Sequence, residues 1–123
     1  AGPEKLVFNG PDEQFLAGRL MGAAGGIGGT YGAMPELYLR LNQLIENKEL
    51  EQAKELQYAI NDIIAKLCSC HGHMYAVIKA VLKINEGLEL GGVRSPLSNL
   101  IESDQPAVEE AAALIRTAKE RFL

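Results

Sequence analysis

Val7-Phe8-Asn9-Gly10-Pro11-Asp12-Glu13 and, further on, Gly25-Gly26-Ile27-Gly28-Gly29-Thr30-Tyr31 are the two stretches that decide the fold. Leu6-Val7-Phe8 is a short apolar run closed by Asn9-Gly10, the pattern of a strand buried on both faces. Pro11 and Asp12 then open a helix with Asp12 as its N-cap. Phe15, Leu16, Arg19 and Leu20 follow at helical spacing, giving that helix a face to lay on a sheet. The glycine run is a poor strand by propensity, because glycine weakens a strand unless another backbone or a ligand must come close. The order strand, helix, strand in so short a span fits a parallel βαβ crossover.

Working outward, glycine divides the chain. Nine of the 13 glycines lie in the first 32 residues, and between Ala33 and Glu86 there is only Gly72, so a glycine-rich front precedes a helical back. Met34, Leu37, Tyr38, Leu41, Leu44 and Ile45 form one helical stripe, with Pro35 in the permitted first turn. Leu50, Ala53, Leu56, Ile60, Ile63, Ile64 and Leu67 form a second, opposite a face of Glu, Gln, Lys and Asn. Met74, Val77, Ile78, Val81 and Leu82 mark a third helix that ends before Gly87. Ser103-Asp104 with Pro106 starts the last, whose buried side is Val108, Ala111, Ala112, Ile115, Ala118 and Phe122. Gly91 to Leu97 reads as a loop.

The 123 residues suit one domain rather than two, and 47% apolar with 23% charged residues is ordinary for a globular protein. Twelve Lys+Arg against 16 Asp+Glu give a net charge of −4 and no basic field for nucleic acid or anionic lipid. The longest uncharged run, Leu20 to Pro35, holds six glycines in 16 residues and is no membrane span. Two cysteines without a secretory signal point to a reducing compartment, the cytoplasm. The chain opens Ala-Gly-Pro without methionine, as expected of a processed product or a fragment. Two parallel strands also leave two open edges, so either the helices alone carry the fold or further strands come from another chain or a missing segment.

Three clusters invite chemistry. The glycine run is neither a phosphate loop, since no Gly-Lys-Ser/Thr follows, nor a dinucleotide fingerprint, since Tyr31 stands at the third glycine position. Cys68-Ser69-Cys70-His71-Gly72-His73 has metal-ligand residue types, but no second Cys/His pair completes four ligands. It reads better as a helix end with Gly72 as its C-cap. Asp12 and Glu13 are first-turn acids, which commonly satisfy free N–H groups at the positive end of the helix dipole. They also sit just beyond the carboxyl end of a parallel strand, where α/β folds hold ligands, and can accept hydrogen bonds from a polyhydroxylated substrate. A Schiff-base lysine must be desolvated and aimed into its site, and none of Lys5, Lys48, Lys54, Lys66, Lys79, Lys83 and Lys119 meets that requirement.

Taken together, the two opening stretches resemble the last two barrel strands of the N-acetylneuraminate lyases. These are pyruvate-dependent class I aldolases related to dihydrodipicolinate synthase. Val93-Arg94-Ser95-Pro96-Leu97 is typical of the same family's tail. The resemblance implies an α/β fold: the carboxyl-terminal part of a (β/α)8 TIM barrel, its last two parallel strands, followed by a mainly helical extension. Residues 1–47 would be the last two βα units and 48–123 the helical region of the same domain. Barrels of this kind need about 250 residues, so the family's Schiff-base lysine and proton-shuttling tyrosine would lie in an amino-terminal segment before Ala1.

The implied activity of the intact enzyme is reversible aldol cleavage of N-acetylneuraminate to pyruvate and N-acetylmannosamine, with no cofactor and with assembly as a homo-oligomer. The chain alone is expected to be inactive. Positions matching Gly10, Asp12, Glu13 and Gly29 contact the sugar acid in the family. At Gly29 the family usually has a serine whose hydroxyl binds substrate, and the neighbouring Thr30 offers a hydroxyl in its stead. Pro11 stands where an aromatic is frequent. Two alternatives remain open on the sequence: another pyruvate aldolase such as a dihydrodipicolinate synthase, and a non-catalytic helical interaction module. Asp12-Glu13 argues against a substrate rich in carboxylates, since like charges repel when desolvated.

Overall fold

In the computed structural model, which describes residues 2–123, Phe8–Asn9 form β1 and Gly25–Gly26 form β2. The strands are parallel, with Phe8 opposite Gly25 and Asn9 opposite Gly26. Backbone bonds from Ala24 N–H to the Val7 carbonyl (2.8 Å) and from Ile27 N–H to the Asn9 carbonyl (3.0 Å) extend the ladder at both ends. Between the strands lie a 3-10 turn, Asp12–Gln14, and α1, Phe15–Leu20. A second 3-10 turn, Tyr31–Ala33, leads into α2, Pro35–Glu46. Then come α3, Leu50–Leu67, α4, Met74–Glu86, and α5, Gln105–Phe122. Ala1, the first residue of the predicted front region, lies outside the described residues.

The helices form where their apolar periodicity puts them. Pro35 sits in the first turn of α2, and Gly87 ends α4 in the left-handed conformation (φ 69°). The core is where their stripes meet: Leu37, Leu41 and Leu44 of α2, Leu56, Ile60, Ile63 and Leu67 of α3, and Val77 and Val81 of α4 are all essentially inaccessible. Each such side chain contributes about 1.5–3 kcal/mol of burial. The α5 face is finer grained. Ala111, Ala112 and Ala118 flank Val108 and Ile115, and those small side chains let α5 pack closely on α3 and α4.

Four sequence expectations change. The strand expected to be buried on both faces is exposed, with Leu6 at 75%, Val7 at 53% and Phe8 at 49%, because among the described residues little beyond α1 and β2 packs against it. Asp12 caps nothing locally; Pro11 occupies the N-cap position of the 3-10 turn, and the Asp12 carboxylate is engaged elsewhere. Leu20 does not pack on the sheet and is 55% exposed, although Phe15 and Leu16 are buried as expected. Gly72 is not a C-cap, since α3 stops at Cys68 in right-handed geometry. Glycine is required at 72 for packing instead, because a Cβ there would lie 2.9 Å from the Leu100 backbone nitrogen.

The segment between α3 and α4 is fixed by Asp104. Its carboxylate accepts the N–H groups of His71 (2.7 Å), Gly72 (3.0 Å) and Ile101 (3.1 Å). Burial pushes the Asp104 carboxyl up, but these three donors and the nearby His71 outweigh it and hold the group below its ordinary value.

Candidate functional site

Asp12 and Glu13 leave the carboxyl end of β1 together and then part. Asp12 is buried, and its Oδ2 accepts both the backbone N–H (2.9 Å) and the hydroxyl (2.5 Å) of Thr30. Thr30 Oγ1 also lies 2.7 Å from the Tyr38 hydroxyl. A hydroxyl has one hydrogen to give. With the Thr30 proton directed at the carboxylate, the Tyr38 O–H donates to Thr30. The chain Tyr38, Thr30, Asp12 thus ties α2, the loop after β2 and the turn after β1 into one rigid unit. Gly28 belongs to it, since a Cβ at that position would overlap the Asp12 carboxylate.

Aromatic rings floor this network. Tyr31 and Tyr38 lie 4.0 Å apart between centroids, and Phe15 meets both edge-on at 6.1 and 5.8 Å. Burial, seconded by the Asp12 charge, pushes the Tyr31 phenol up to about 12. Burial likewise pushes Tyr38 well above its ordinary value, against the hydrogen bond with Thr30 that works the other way. Both phenols are therefore neutral across the physiological range, but only Tyr38 has a hydrogen-bond partner, the buried Tyr31 hydroxyl finding none among the described residues.

Glu13 is exposed, and its carboxylate has no hydrogen-bonding or ion-pair partner among the described residues. Gly10 is exposed too, and a side chain there would meet nothing within 4 Å. Gly29 faces the start of α4, where a Cβ would lie 2.9 Å from Tyr75 Cε1, 3.2 Å from the Tyr75 hydroxyl and 3.2 Å from Met74 Cε. The four predicted contact residues therefore divide. Asp12 serves the scaffold through one oxygen, whereas Gly10, Glu13 and Gly29 are exposed, Gly10 beside open space and Gly29 against Tyr75 and Met74.

Thr30 cannot replace the serine hydroxyl that Gly29 lacks, because it is 1% exposed and both of its polar groups are committed. The residue beside Gly29 that sequence reasoning missed is Tyr75. It is 45% exposed and stacked edge-on against His73, whose Nδ1 accepts the Tyr75 N–H at 3.1 Å and caps α4. In sequence it falls between core positions of a helical stripe, and only the approach of α4 to the loop after β2 brings it to the rim.

In the cysteine–histidine segment, as elsewhere among the described residues, no three His, Cys, Asp or Glu side chains converge. Burial, with the Glu13 charge behind it, raises the Cys68 thiol; burial and then Asp104 raise Cys70. Both changes disfavour the thiolate that a nucleophile or metal ligand requires. No helix among the described residues is long and apolar enough to cross a membrane.

Comparison with known proteins identifies the family. The dihydrodipicolinate synthetase family model matches residues 1–115. The chain is 61% identical over all 123 residues to the N-acetylneuraminate lyase of Mediterraneibacter gnavus, covering 39% of that protein. It is 38% identical to the Rhizobium meliloti N-acetylneuraminate lyase over 96% of this chain and 38% of that one. Among solved structures, the catalytic lysine mutant of Ruminococcus gnavus sialic acid aldolase matches all of this chain with a TM-score of 0.98 and 61% identity, over 40% of its own length. CdNal from Clostridium difficile, solved in complex with mannosamine, matches 90% of this chain and 37% of its own with a TM-score of 0.83 and 28% identity. The chain thus spans about 40% of the length of the relatives it matches. By its sequence and by its backbone, it belongs to the dihydrodipicolinate synthetase family.

Proposed function

We propose that this chain is the carboxyl-terminal portion of an N-acetylneuraminate lyase, contributing the last two strands of a TIM barrel and the helical region behind them. The observation that carries the proposal is the likeness to Ruminococcus gnavus sialic acid aldolase over every residue, at 61% identity and a TM-score of 0.98. In this reading 1–47 are the final βα units and 48–123 the helical part of the same domain. Clefts of about 540 Å³ beside Leu6, Val7, Phe8 and Met21, and of about 330 Å³ beside Gly25, Gly26, Tyr31 and Leu39, support it. They are the apolar surfaces that neighbouring strands and helices of a barrel would fill.

The catalytic lysine comes from the amino-terminal segment. Its amine condenses with the ketone of the sugar acid with loss of water. Cleavage of the carbon–carbon bond, with loss of the proton of the hydroxyl that becomes the aldehyde, then releases N-acetylmannosamine and leaves an enamine; protonation of the enamine carbon gives an imine, whose hydrolysis returns pyruvate and the lysine. The present segment holds the hydroxylated tail. Glu13 accepts hydrogen bonds from it, Asp12 keeps the turn in place, and Gly10 and Gly29 leave it room. The Tyr75 hydroxyl at the Gly29 rim supplies the donor that serine gives in other members. The enzyme works in the cytoplasm as a homo-oligomer.

Borohydride trapping with pyruvate tests this reading. The chain alone is expected to form no adduct. Combined with the amino-terminal segment, it is expected to cleave N-acetylneuraminate and to trap pyruvate on a lysine of that segment. A stoichiometric adduct on this chain alone, or preference for an aspartate-semialdehyde-type partner, would overturn it.

A further inference from the structure

Gln57 and Asn61 are polar residue types that would ordinarily be solvated, although Gln57 stands at the edge of the apolar stripe of α3, four residues after Ala53 and three before Ile60. Gln57 is instead 6% exposed, and its amide is fully used. Its Oε1 accepts the Leu16 N–H at 2.9 Å, and its Nε2 donates to the Asp12 carbonyl at 3.2 Å and to Asn61 Oδ1 at 2.9 Å. Asn61 Nδ2 in turn donates to the Glu13 carbonyl at 3.4 Å. Chemistry dictates both amide orientations. The Leu16 N–H is a donor and must meet an oxygen, so Nε2 faces the Asp12 carbonyl; Asn61 must then offer Oδ1 to Gln57 and Nδ2 to the Glu13 carbonyl.

The clamp answers a local deficit. Neither the 3-10 turn Asp12–Gln14 nor α1 has a side-chain cap of its own, and a helix start buried without partners for its N–H groups is costly. Gln57 fills that role from 41 residues away. Its position also decides where the carboxylates point. Thr30 already fixes Asp12, whereas Glu13 has a free side chain, so the direction of its Cα–Cβ bond is set by the peptide planes on either side of it. Those planes are the ones that Gln57 and Asn61 hold.

We propose that Gln57 and Asn61 are positioning residues for the sugar-acid tail, acting through the backbone of Asp12 and Glu13. The proposal rests on the lyase reading above. It separates two classes of substrate: pyruvate, which has no tail, is indifferent to the clamp, whereas N-acetylneuraminate depends on it.

The test uses the complete lyase with Gln57→Met, Asn61→Ala and, as a control on the exposed face of α3, Gln52→Ala. Gln57→Met and Asn61→Ala are expected to raise KM for N-acetylneuraminate by roughly tenfold with little change in kcat, since a small misplacement weakens binding of the tail. Borohydride trapping of pyruvate should proceed at the unmutated rate. In Gln57→Met the Leu16 amide should also lose protection from hydrogen exchange. Asn61 is only half-buried, so Asn61→Ala remains informative should Gln57→Met fold poorly. An unchanged KM in both variants, or equal losses of cleavage and pyruvate trapping, would overturn the positioning role. An unmutated enzyme that neither traps pyruvate nor cleaves would overturn the lyase reading instead, and the positioning role with it.

Discussion

Leu56 on α3 and Val7 ahead of β1 are both aliphatic, and hydrophobic patterning assigns both to the interior. Leu56 is fully enclosed by neighbouring helices, whereas Val7 is 53% exposed. The difference lies in where their partners come from. Leu56 lies on α3, which packs on α2 and α5 of this same chain, so the helical back closes its own core. Val7 belongs to a two-stranded parallel sheet, and parallel sheets are stable when both faces and both edges are covered. The back is complete as a piece of structure, and the front is shaped for something beyond itself.

The largest effect expected from this comparison is therefore asymmetric. Leu56→Ala should cost about 2–5 kcal/mol in a urea titration, through lost burial and the cavity left behind. Val7→Ala should stay within about 0.5 kcal/mol, as at other exposed positions. Equal losses at the two sites would break the distinction. A Val7→Ala cost that appears only with the rest of the proposed barrel present would sharpen it.

The two regions were also legible to different degrees. The stripes of α2, α3, α4 and α5 follow from a period of 3.6 residues, and Gly87 stops α4 by its own conformation. Such signals are local, so one sequence suffices to find them. At the site the decisive contacts are not local. Asp12 has the residue type and position of an N-cap, but Thr30, 18 residues later, takes its carboxylate. Gln57 has the residue type of a solvated side chain, yet it reaches the Asp12 carbonyl 45 residues earlier. Periodicity tells which face a residue occupies and says nothing of a backbone group arriving from elsewhere. Gly10, Asp12, Glu13 and Gly29 could be named as a group, but their division into scaffold and open rim could not.

Two glycines of the front sharpen that division. Gly28→Ala drives a methyl group into the Asp12 carboxylate, so the bond to Thr30 must give; the expected cost is about 1–3 kcal/mol. At Gly10 the added methyl meets nothing within 4 Å, so Gly10→Ala should stay within about 0.5 kcal/mol. Chemical denaturation of both variants distinguishes a glycine the fold requires from one that leaves room.

Acid and alkali probe different parts. Asp104 has a carboxyl held below its ordinary value. Its stabilising contribution is fully present above the unfolded pKa of about 4 and is lost as pH falls through the lower folded value. Circular dichroism at falling pH should show the segment between α3 and α4 loosening in that window, and the difference between the unmutated chain and Asp104→Asn should shrink there. Tyr31 behaves oppositely. With its phenol pushed up to about 12, its contribution is present below the unfolded value of about 10 and is lost as pH rises through the folded one. Phenolate absorbance should therefore include a group titrating late, together with loss of structure at the front.

The smallest effect on stability is expected where the effect on function should be largest. Glu13 is exposed and its carboxylate has no partner among the described residues, so Glu13→Gln should leave the urea midpoint of this chain unchanged within about 0.5 kcal/mol. Asp12→Asn, three covalent bonds along the same backbone, loses charge-assisted acceptance of the Thr30 N–H and hydroxyl, and should measurably destabilise the chain. Under the proposed lyase function the order reverses for substrate: Glu13→Gln is then expected to weaken hydrogen bonds to the sugar-acid tail directly and to raise KM with the fold intact. Asp12→Asn acts through the turn it anchors, and its effect on KM should come together with its effect on stability. A Glu13→Gln variant that unfolds earlier would show that the free carboxylate is part of the scaffold after all. One that keeps both its midpoint and its KM would remove Glu13 from the site.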